Sequence, residues 1–417
     1  MGNRYANSYP DRLHPEVRYR HRKKCVYREG LTQMSCKTAW AEIDTGAIRH
    51  NVSMVKQKLK AGTRICAVLK GDAYGHGLAA MARFLGSEGL ADMIAVGRPD
   101  ELVRLAEAER AVACREGRKA DQTPVLLIGA VEADEVEALL LSGQIDPGRV
   151  IFSVFSMRQY QELRRLAQRR GIRISLHVRV DEWDSGMGIG YDTFLRHEKM
   201  FFSSEYAEVC GLYAHLYSSY FHDFEKTKKD LEDFDAFVRQ IAPQYRDRLT
   251  IHVMNSALLF DFPEYSYDMV RAGAAIYGLP CGDKGVLREA MRICARVFCV
   301  KDVSGSVPLS YHPGSVLPGK RRIARMMIGY GDCPLLLTQK DVSVEIRGKS
   351  FRLADDVCMD NLCVDVSGCD EITPGDIAVL LGKGNVTPEK IMKRNEMAYV
   401  HSDWLCMTTE RLEKRFV

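Results

Sequence analysis

Residues 64–77 read Arg64-Ile65-Cys66-Ala67-Val68-Leu69-Lys70-Gly71-Asp72-Ala73-Tyr74-Gly75-His76-Gly77. The run to Leu69 has the apolar character of a buried strand, and the glycines that follow cannot continue it. Lys70 therefore stands where a strand ends and a turn begins. A lysine there serves either as a turn residue paired with Asp72 or as a reactive amine, and the stretch alone does not choose between them.

Working outward, similar apolar runs recur at 93–97, 123–128, 150–155, 174–180, 209–216, 249–254 and 269–277, with helix-patterned segments in most of the gaps. Upstream, Thr38–Asp44 alternates like a strand and Thr45–Leu59 reads as a helix with Ile48, Val52 and Val55 on one face. Pro99-Asp100-Glu101, Glu132-Ala133-Asp134, Ser156 and Asp223 are the expected start signals of further helices. Eight such strands alternating with helices fit a (β/α)8 barrel better than an open doubly wound sheet, although spacing alone admits both. Beyond Pro280 the pattern turns to short strand-like segments at Ala295–Val303, Arg322–Ile328, Val342–Ile346, Leu362–Val366 and Asp376–Leu381. The expected organisation is α/β: an extension over 1–36, a strand at 37–47 that joins the carboxyl-terminal domain, a barrel over 48–282, and a mostly β domain over 283–417.

The composition, 46% hydrophobic and 27% charged over 417 residues, is that of an ordinary globular chain with room for a large core. No apolar run approaches the roughly 18 residues of a spanning helix, and the amino terminus lacks a signal-peptide core, so a cytoplasmic protein is expected. The 13 cysteines form no Cys-x-x-Cys pair and the 11 histidines no His-Glu-x-x-His, which argues against zinc and against a disulfide framework. The net charge of +4 resides in residues 1–30, which hold eight Lys or Arg against three acids. That cluster reads as a solvated extension rather than a nucleic-acid or membrane surface, because the body carries no matching basic stripe.

A parallel barrel collects its site from the carboxyl ends of its strands. The polar residues there are Lys70 and Tyr74, Arg179 and Asp181, His215, Asn255 and Ser256, and Arg271 to Tyr277. Asn255-Ser256-Ala257 and Gly273-Ala274-Ala275 offer small residues whose amides an anion can approach. An amine and a phosphate cradle on one rim are what pyridoxal phosphate needs: a lysine for its aldehyde, donors for its phosphate, and a partner for its pyridine nitrogen. Arg271 as that partner would keep the ring largely unprotonated, because an arginine does not give up its proton.

Ala67 through Gly77 resembles the cofactor-lysine motif of the alanine racemase family. Similar segments follow in order: Gly211-Leu212-Tyr213-Ala214-His215, His252-Val253-Met254-Asn255-Ser256-Ala257, Val270 through Gly278, Ile328-Gly329-Tyr330-Gly331-Asp332 and Val357-Cys358-Met359-Asp360. The resemblance implies a barrel followed by a β domain, a homodimer, pyridoxal phosphate on Lys70, and racemisation of a small amino acid by two bases. Lys70 serves one face, and a tyrosine of the other subunit, matched by Tyr311, serves the other. It implies that Tyr74, Asn255, Ser256, Gly273 and Ala274 hold the cofactor, that Arg271 meets the pyridine nitrogen, that His215 supports the ring and Arg271, and that Met359 lines the substrate pocket from the partner. Taken alone, Tyr311 reads as a turn tyrosine, His215 as a buried structural histidine and Met359 as a core residue.

Three positions depart from the family pattern. Gly186-Met187-Gly188 is followed by Ile189, where the family has an arginine that helps hold the substrate carboxylate. Arg179 falls where the family often has a modified lysine that positions that arginine, so it either substitutes for that charge or reaches the substrate itself. Ser402 aligns with a tyrosine that narrows the entrance, which would widen the pocket toward serine or larger substrates. Arg179, Ile189, Ser402 and Met359 are thus the expected substrate-side residues. Two rival readings use the same residues: a pyridoxal-phosphate decarboxylase or an epimerase of a carboxylate-modified substrate, and a non-catalytic cofactor-binding homologue.

Overall fold

The computed structural model describes residues 38–417 apart from 118–120, 183–185, 221–222, 280, 282–284, 312–315, 339–340, 383, 385 and 396–404. The 1–36 extension, Trp183, Asp184 and Ser402 thus lie outside the described residues. Strand β1 (Ala39–Ile43) is followed by the helix Thr45–Lys58, whose first turn is capped by the Asp44 carboxylate accepting the Ala47 amide at 2.8 Å.

The strands β2 (Arg64–Val68), β3 (Met93–Val96), β4 (Val125–Leu127), β5 (Val150–Val154), β6 (Ile174–Arg179), β7 (Ala207–Tyr213), β8 (Thr250–His252) and β9 (Met269–Ala272) form one parallel sheet. Its order is β9-β2-β3-β4-β5-β6-β7-β8. The ring nearly closes between β8 and β9, where the Arg271 amide donates to the Met254 carbonyl at 2.9 Å and the Asp268 amide to that of Ile251 at 3.1 Å. Each strand matches one of the eight apolar runs. Helices such as Met157–Arg170 and Phe224–Gln240 cover the outside, capped by Ser156 and Asp223.

The strands read as nearly unbroken apolar runs because both of their faces are buried, and alternation sorts their residues into two clusters. Ile65, Ala67, Ile94, Val96, Val125, Leu127, Leu176 and Val178 belong to the core shared with the helices. Cys66, Val68, Met93, Ala95, Leu126, Ile151 and Met269 form a separate cluster inside the barrel. By the same parity His177 and Arg179 on β6, and Arg271 on β9, face inward. The barrel interior is therefore apolar below and charged near the carboxyl ends.

The second sheet contains β10 (Met291–Ser306), β11 (Val316–Met326), β12 (Ser343–Ile346), β13 (Lys349–Arg352), β14 (Leu362–Asp365), β15 (Ile377–Leu381) and β16 (Glu413–Phe416). Its order is β13-β12-β15-β10-β1-β16, with β11 bonded to β10 and β14. β1 runs antiparallel to β10 and parallel to β16, placing Trp40 beside Cys294 and Glu413. The Arg415 and Arg296 guanidinium carbons lie 4.4 and 5.4 Å from the Trp40 ring. β13 and β16 have no strand-like apolar pattern in sequence; their polar residues are held by pairing to β12 and β1.

Lys70 opens an unusual turn. Gly71, Asp72, Ala73 and Tyr74 all have left-handed backbone angles, with φ of 65°, 54°, 56° and 52°. Such angles cost an ordinary residue roughly 1–2 kcal/mol. The buried Glu101 carboxylate compensates by accepting the amides of Gly71 at 2.6 Å, Asp72 at 3.2 Å and Gly97 at 2.8 Å. Asp72 does not pair with Lys70; its carboxylate caps Leu78 at 3.0 Å and meets Arg104 at 3.4 Å. The turn is locked against the carboxyl-terminal segment at Gly75, where an added Cβ would lie 1.9 Å from the Leu405 carbonyl oxygen.

Gly75→Ala is therefore expected to lower the urea midpoint by the equivalent of about 1–3 kcal/mol. Gly62→Ala is the control, since Gly62 shares the positive φ but has open space within 4 Å. A Gly75 variant no less stable than the Gly62 variant would show that the contact with Leu405 is not tight.

Candidate active site

All eight barrel strands contribute from their carboxyl ends to one cavity of about 1620 Å³. Lys70 lies beyond β2, Gly97 beyond β3, Gly129 beyond β4, Phe155 beyond β5, Arg179 at the end of β6, His215 beyond β7, Ser256 beyond β8, and Arg271 and Gly273 on and beyond β9. Gly97 keeps the lysine's base clear, because a Cβ there would lie 3.1 Å from that of Lys70.

Arg271 is buried at 3% exposure. Its Nη1 donates to the His252 carbonyl at 2.8 Å and to His252 Nδ1 at 3.0 Å, and its Nη2 to the Ala214 carbonyl at 2.8 Å. Burial pulls its pKa down to about 10, which leaves it a cation at neutral pH. Because arginine only donates, His252 Nδ1 must accept and its proton sits on Nε2. That proton faces His177 Nδ1 at 3.0 Å, so the tautomers of both rings follow from the one guanidinium. Gly211 makes the arrangement possible, since a Cβ there would come within 2.3 Å of the His177 ring. Tyr213 stacks on His252 at 5.0 Å and lies under the Arg271 guanidinium at 5.3 Å.

His177 and His252 were not singled out from sequence, although they share the inward parity of Arg179 and Arg271. His215 lines the cavity, yet among the described residues no hydrogen bond joins its ring to Arg271. The Arg271 guanidinium donates its direct hydrogen bonds to the Ala214 carbonyl and to the carbonyl and ring of His252, while its charge acts on the His215 ring through space.

One rim of the cavity is built by Tyr74, Ser256, Gly273 and Ala274. The Ser256 hydroxyl accepts the amides of Gly273 at 3.0 Å and Ala275 at 3.1 Å, while the Ala274 amide has no partner among the described residues. Gly273 leaves space that a Cβ would fill, 2.9 Å from the Tyr74 hydroxyl. Burial raises the Tyr74 pKa, so its hydroxyl remains a donor. Asn255 shapes this loop: its carbonyl accepts the amides of Ala257 at 2.9 Å and Leu258 at 3.1 Å, and its amide donates to Ser219 at 3.2 Å. A free amine, a rim of donors with an unclaimed amide, and a buried arginine on one cavity fit a phosphate-bearing aldehyde cofactor.

The remaining residues fall elsewhere. Ile189 does not face the cavity; it is 3% exposed in the barrel core, its amide donating to the Arg179 carbonyl at 2.9 Å, because the chain pairs there beside β6 and turns the side chain under the helices. Tyr311 and Met359 are not among the residues that line the cavity holding Lys70. They meet each other on the β domain, where the Met359 amide donates to the Tyr311 hydroxyl at 3.4 Å, and both are exposed, at 67% and 46%. No group of residues suited to holding a metal ion occurs among the described residues.

Profiles of "Alanine racemase, N-terminal domain" and "Alanine racemase, C-terminal domain" match residues 43–280 and 290–416. The chain belongs to the alanine racemase family. The alanine racemase of Desulfovibrio desulfuricans is 29% identical over 390 residues, covering 91% of this chain and 98% of its own. The solved alanine racemase of Clostridium difficile 630 superposes with a TM-score of 0.77 at 27% identity, covering 90% of this chain and 94% of its own. That of Bartonella henselae, solved with covalently bound pyridoxal phosphate, shares the fold with a TM-score of 0.75 at 21% identity, covering 91% and 99%. The family thus implies pyridoxal phosphate, the group that the cavity's donors fit.

Burial holds the histidines below their ordinary range: His76 at about 4, and His177 and His215 at about 3. Unfolded, each titrates near 6.5, so as pH falls the unfolded chain takes up protons first and stability is lost. The urea midpoint of the cofactor-free chain is expected to be flat with respect to these groups from pH 8 to 7 and to fall from about 6.5 toward 4. His177→Gln should remove part of that slope. An unchanged slope would show that His177 is not held neutral.

Proposed function

We propose that the chain is a pyridoxal-phosphate-dependent racemase that interconverts the L and D forms of alanine or a related small amino acid such as serine. The observation that carries this reading is the placement of the Lys70 amine and the buried, permanently protonated Arg271 on one cavity, in a chain that matches both domains of the family. The bound cofactor supplies an aldehyde that links covalently to an amine and a ring that withdraws electrons, which acidifies the substrate's Cα proton.

The chain's own residues do the rest. Tyr74, Ser256 and the Ala274 amide bind the phosphate, which anchors the ring between Lys70 and Arg271. Arg271, with both Nη groups engaged, keeps Nε for the pyridine nitrogen. Because Arg271 holds its proton, the ring stays a moderate electron sink, suited to removing and returning one proton rather than to longer rearrangements. The His177–His252 pair fixes the plane of the guanidinium. Lys70 holds or returns the proton on one face. Tyr311 of a second copy serves the opposite face, with Met359 beside it, since both are exposed together on the β domain and neither reaches the cavity of its own chain.

The eleven described cysteines are free, as in a protein kept in a reducing compartment, and no helix among the described residues is long and apolar enough to cross a membrane. The arrangement of cavity and family offers no specific observation in favour of decarboxylation.

With L-alanine, D-alanine or serine in deuterated water, the cofactor-loaded chain is expected to incorporate deuterium at Cα. Lys70→Ala should abolish covalent cofactor attachment and slow exchange by about a thousandfold or more. Absence of exchange with every amino acid tried would refute racemisation. If the site is shared, mixing inactive Lys70→Ala and Tyr311→Phe chains should restore activity toward about a quarter of wild-type sites, as random pairing in a twofold dimer requires. Mixed chains that stay inactive while exchanging subunits would show that Tyr311 does not act across copies.

A further inference from the structure

We propose that Arg179 is the receptor for the substrate's α-carboxylate, through its Nε and Nη2 donors. This rests on the racemase reading above and names the group that selects its substrates. Arg179 ends β6 at 7% exposure and lines the cavity that holds Lys70. Nε and Nη2 are both buried and have no hydrogen-bond partner among the described residues. These two nitrogens lie along one edge of the guanidinium, the edge that meets a carboxylate with two parallel hydrogen bonds. Buried charged donors without acceptors are costly, and their retention at a cavity wall points to an anion that arrives with the ligand.

The orientation is set by neighbours. The Phe155 ring lies 5.7 Å from the guanidinium carbon and limits its tilt. Asp223 and Asp261 line the same cavity, yet neither meets Nε or Nη2. Arg271 cannot take the role, because its Nη groups are donated to the carbonyls of Ala214 and His252 and to the His252 ring. Ile189 cannot take it either, since its side chain lies in the core and carries no donor. Among the described guanidinium groups at the carboxyl ends of the barrel strands, Arg179 presents an edge without a hydrogen-bond partner.

An α-amino acid carries its amine and carboxylate on one carbon, so a cavity that engages the amine near Lys70 needs a second anchor within the same space. Arg179 supplies it from β6, across the ring of strands from β2. The substrates are therefore free α-amino acids, and amides or peptide-linked residues are disfavoured because a neutral amide offers one acceptor oxygen where a carboxylate offers two that share a negative charge.

The test uses the chain loaded with pyridoxal phosphate and the variants Arg179→Gln and Arg179→Lys. Arg179→Gln is expected to keep covalently attached cofactor, by its visible absorbance, and to raise KM for alanine about ten- to hundredfold with a smaller change in kcat. Arg179→Lys, which keeps the charge without the fork, should fall between. The preference for alanine over alaninamide should collapse in Arg179→Gln. Calorimetric titration with acetate should show binding to the wild type that Arg179→Gln removes. The proposal is overturned if Arg179→Gln leaves KM unchanged, if alanine and alaninamide lose equally, or if acetate binds both proteins alike. If no amino acid exchanges deuterium even in the wild type, the racemase reading fails, and the acetate titration still decides whether Arg179 receives a carboxylate. Should Arg179→Gln fail to fold, the alanine-to-alaninamide ratio of Arg179→Lys decides in the same way.

Discussion

The bond network of Arg271 is the constraint on which the site depends. Its guanidinium ties together the carbonyls that follow β7 and β8 while its own backbone amide closes the barrel to Met254. A buried cation with those acceptors cannot shift without leaving several polar groups unmatched. The ring tautomers of His252 and His177 follow from it. One residue thus serves both closure of the scaffold and the hydrogen-bonding pattern of the site.

Around it the barrel divides labour by height. The lower interior is filled by Cys66, Val68, Met93, Ala95, Leu126, Ile151 and Met269, which make a dry floor. The charged layer above is made of groups that the strands hold at fixed positions, with Lys70 presented on a left-handed turn that Glu101 stabilises from the helix Pro99–Glu116 that follows β3. Rigidity at Lys70 therefore comes from a carboxylate some thirty residues away in sequence. Low dielectric around these cations strengthens their attraction for any anion that enters the cavity.

Much of this was legible in the chain. The eight apolar runs correspond to the eight barrel strands, and of the polar residues that end them Lys70, Arg179, Ser256 and Arg271 line one cavity while Asp181 and Tyr277 do not. Other features were not legible. β13 and β16 carry few apolar residues and exist because neighbouring strands offer them partners. His177 and His252 sit inside strands rather than at their ends, so a search of strand exits passes over them. Glu101 looks like an ordinary first-turn acid of a helix. Ile189 aligns with a pocket residue but turns into the core, because side-chain direction depends on local pairing and not on position in a motif.

What the sequence by itself determined is the alternation of strands and helices, the lysine at a strand end and the family to which the motifs belong, because hydrophobic period and turn chemistry are local properties of the chain. Only the tertiary structure decided which donors are spent and which are free. It committed Arg271 to the backbone, left the edge of Arg179 without a partner among the described residues and set Tyr311 on the exposed surface of the β domain. Those outcomes arise from the meeting of strands distant in sequence, where a hydrogen bond made in one place removes a donor from another.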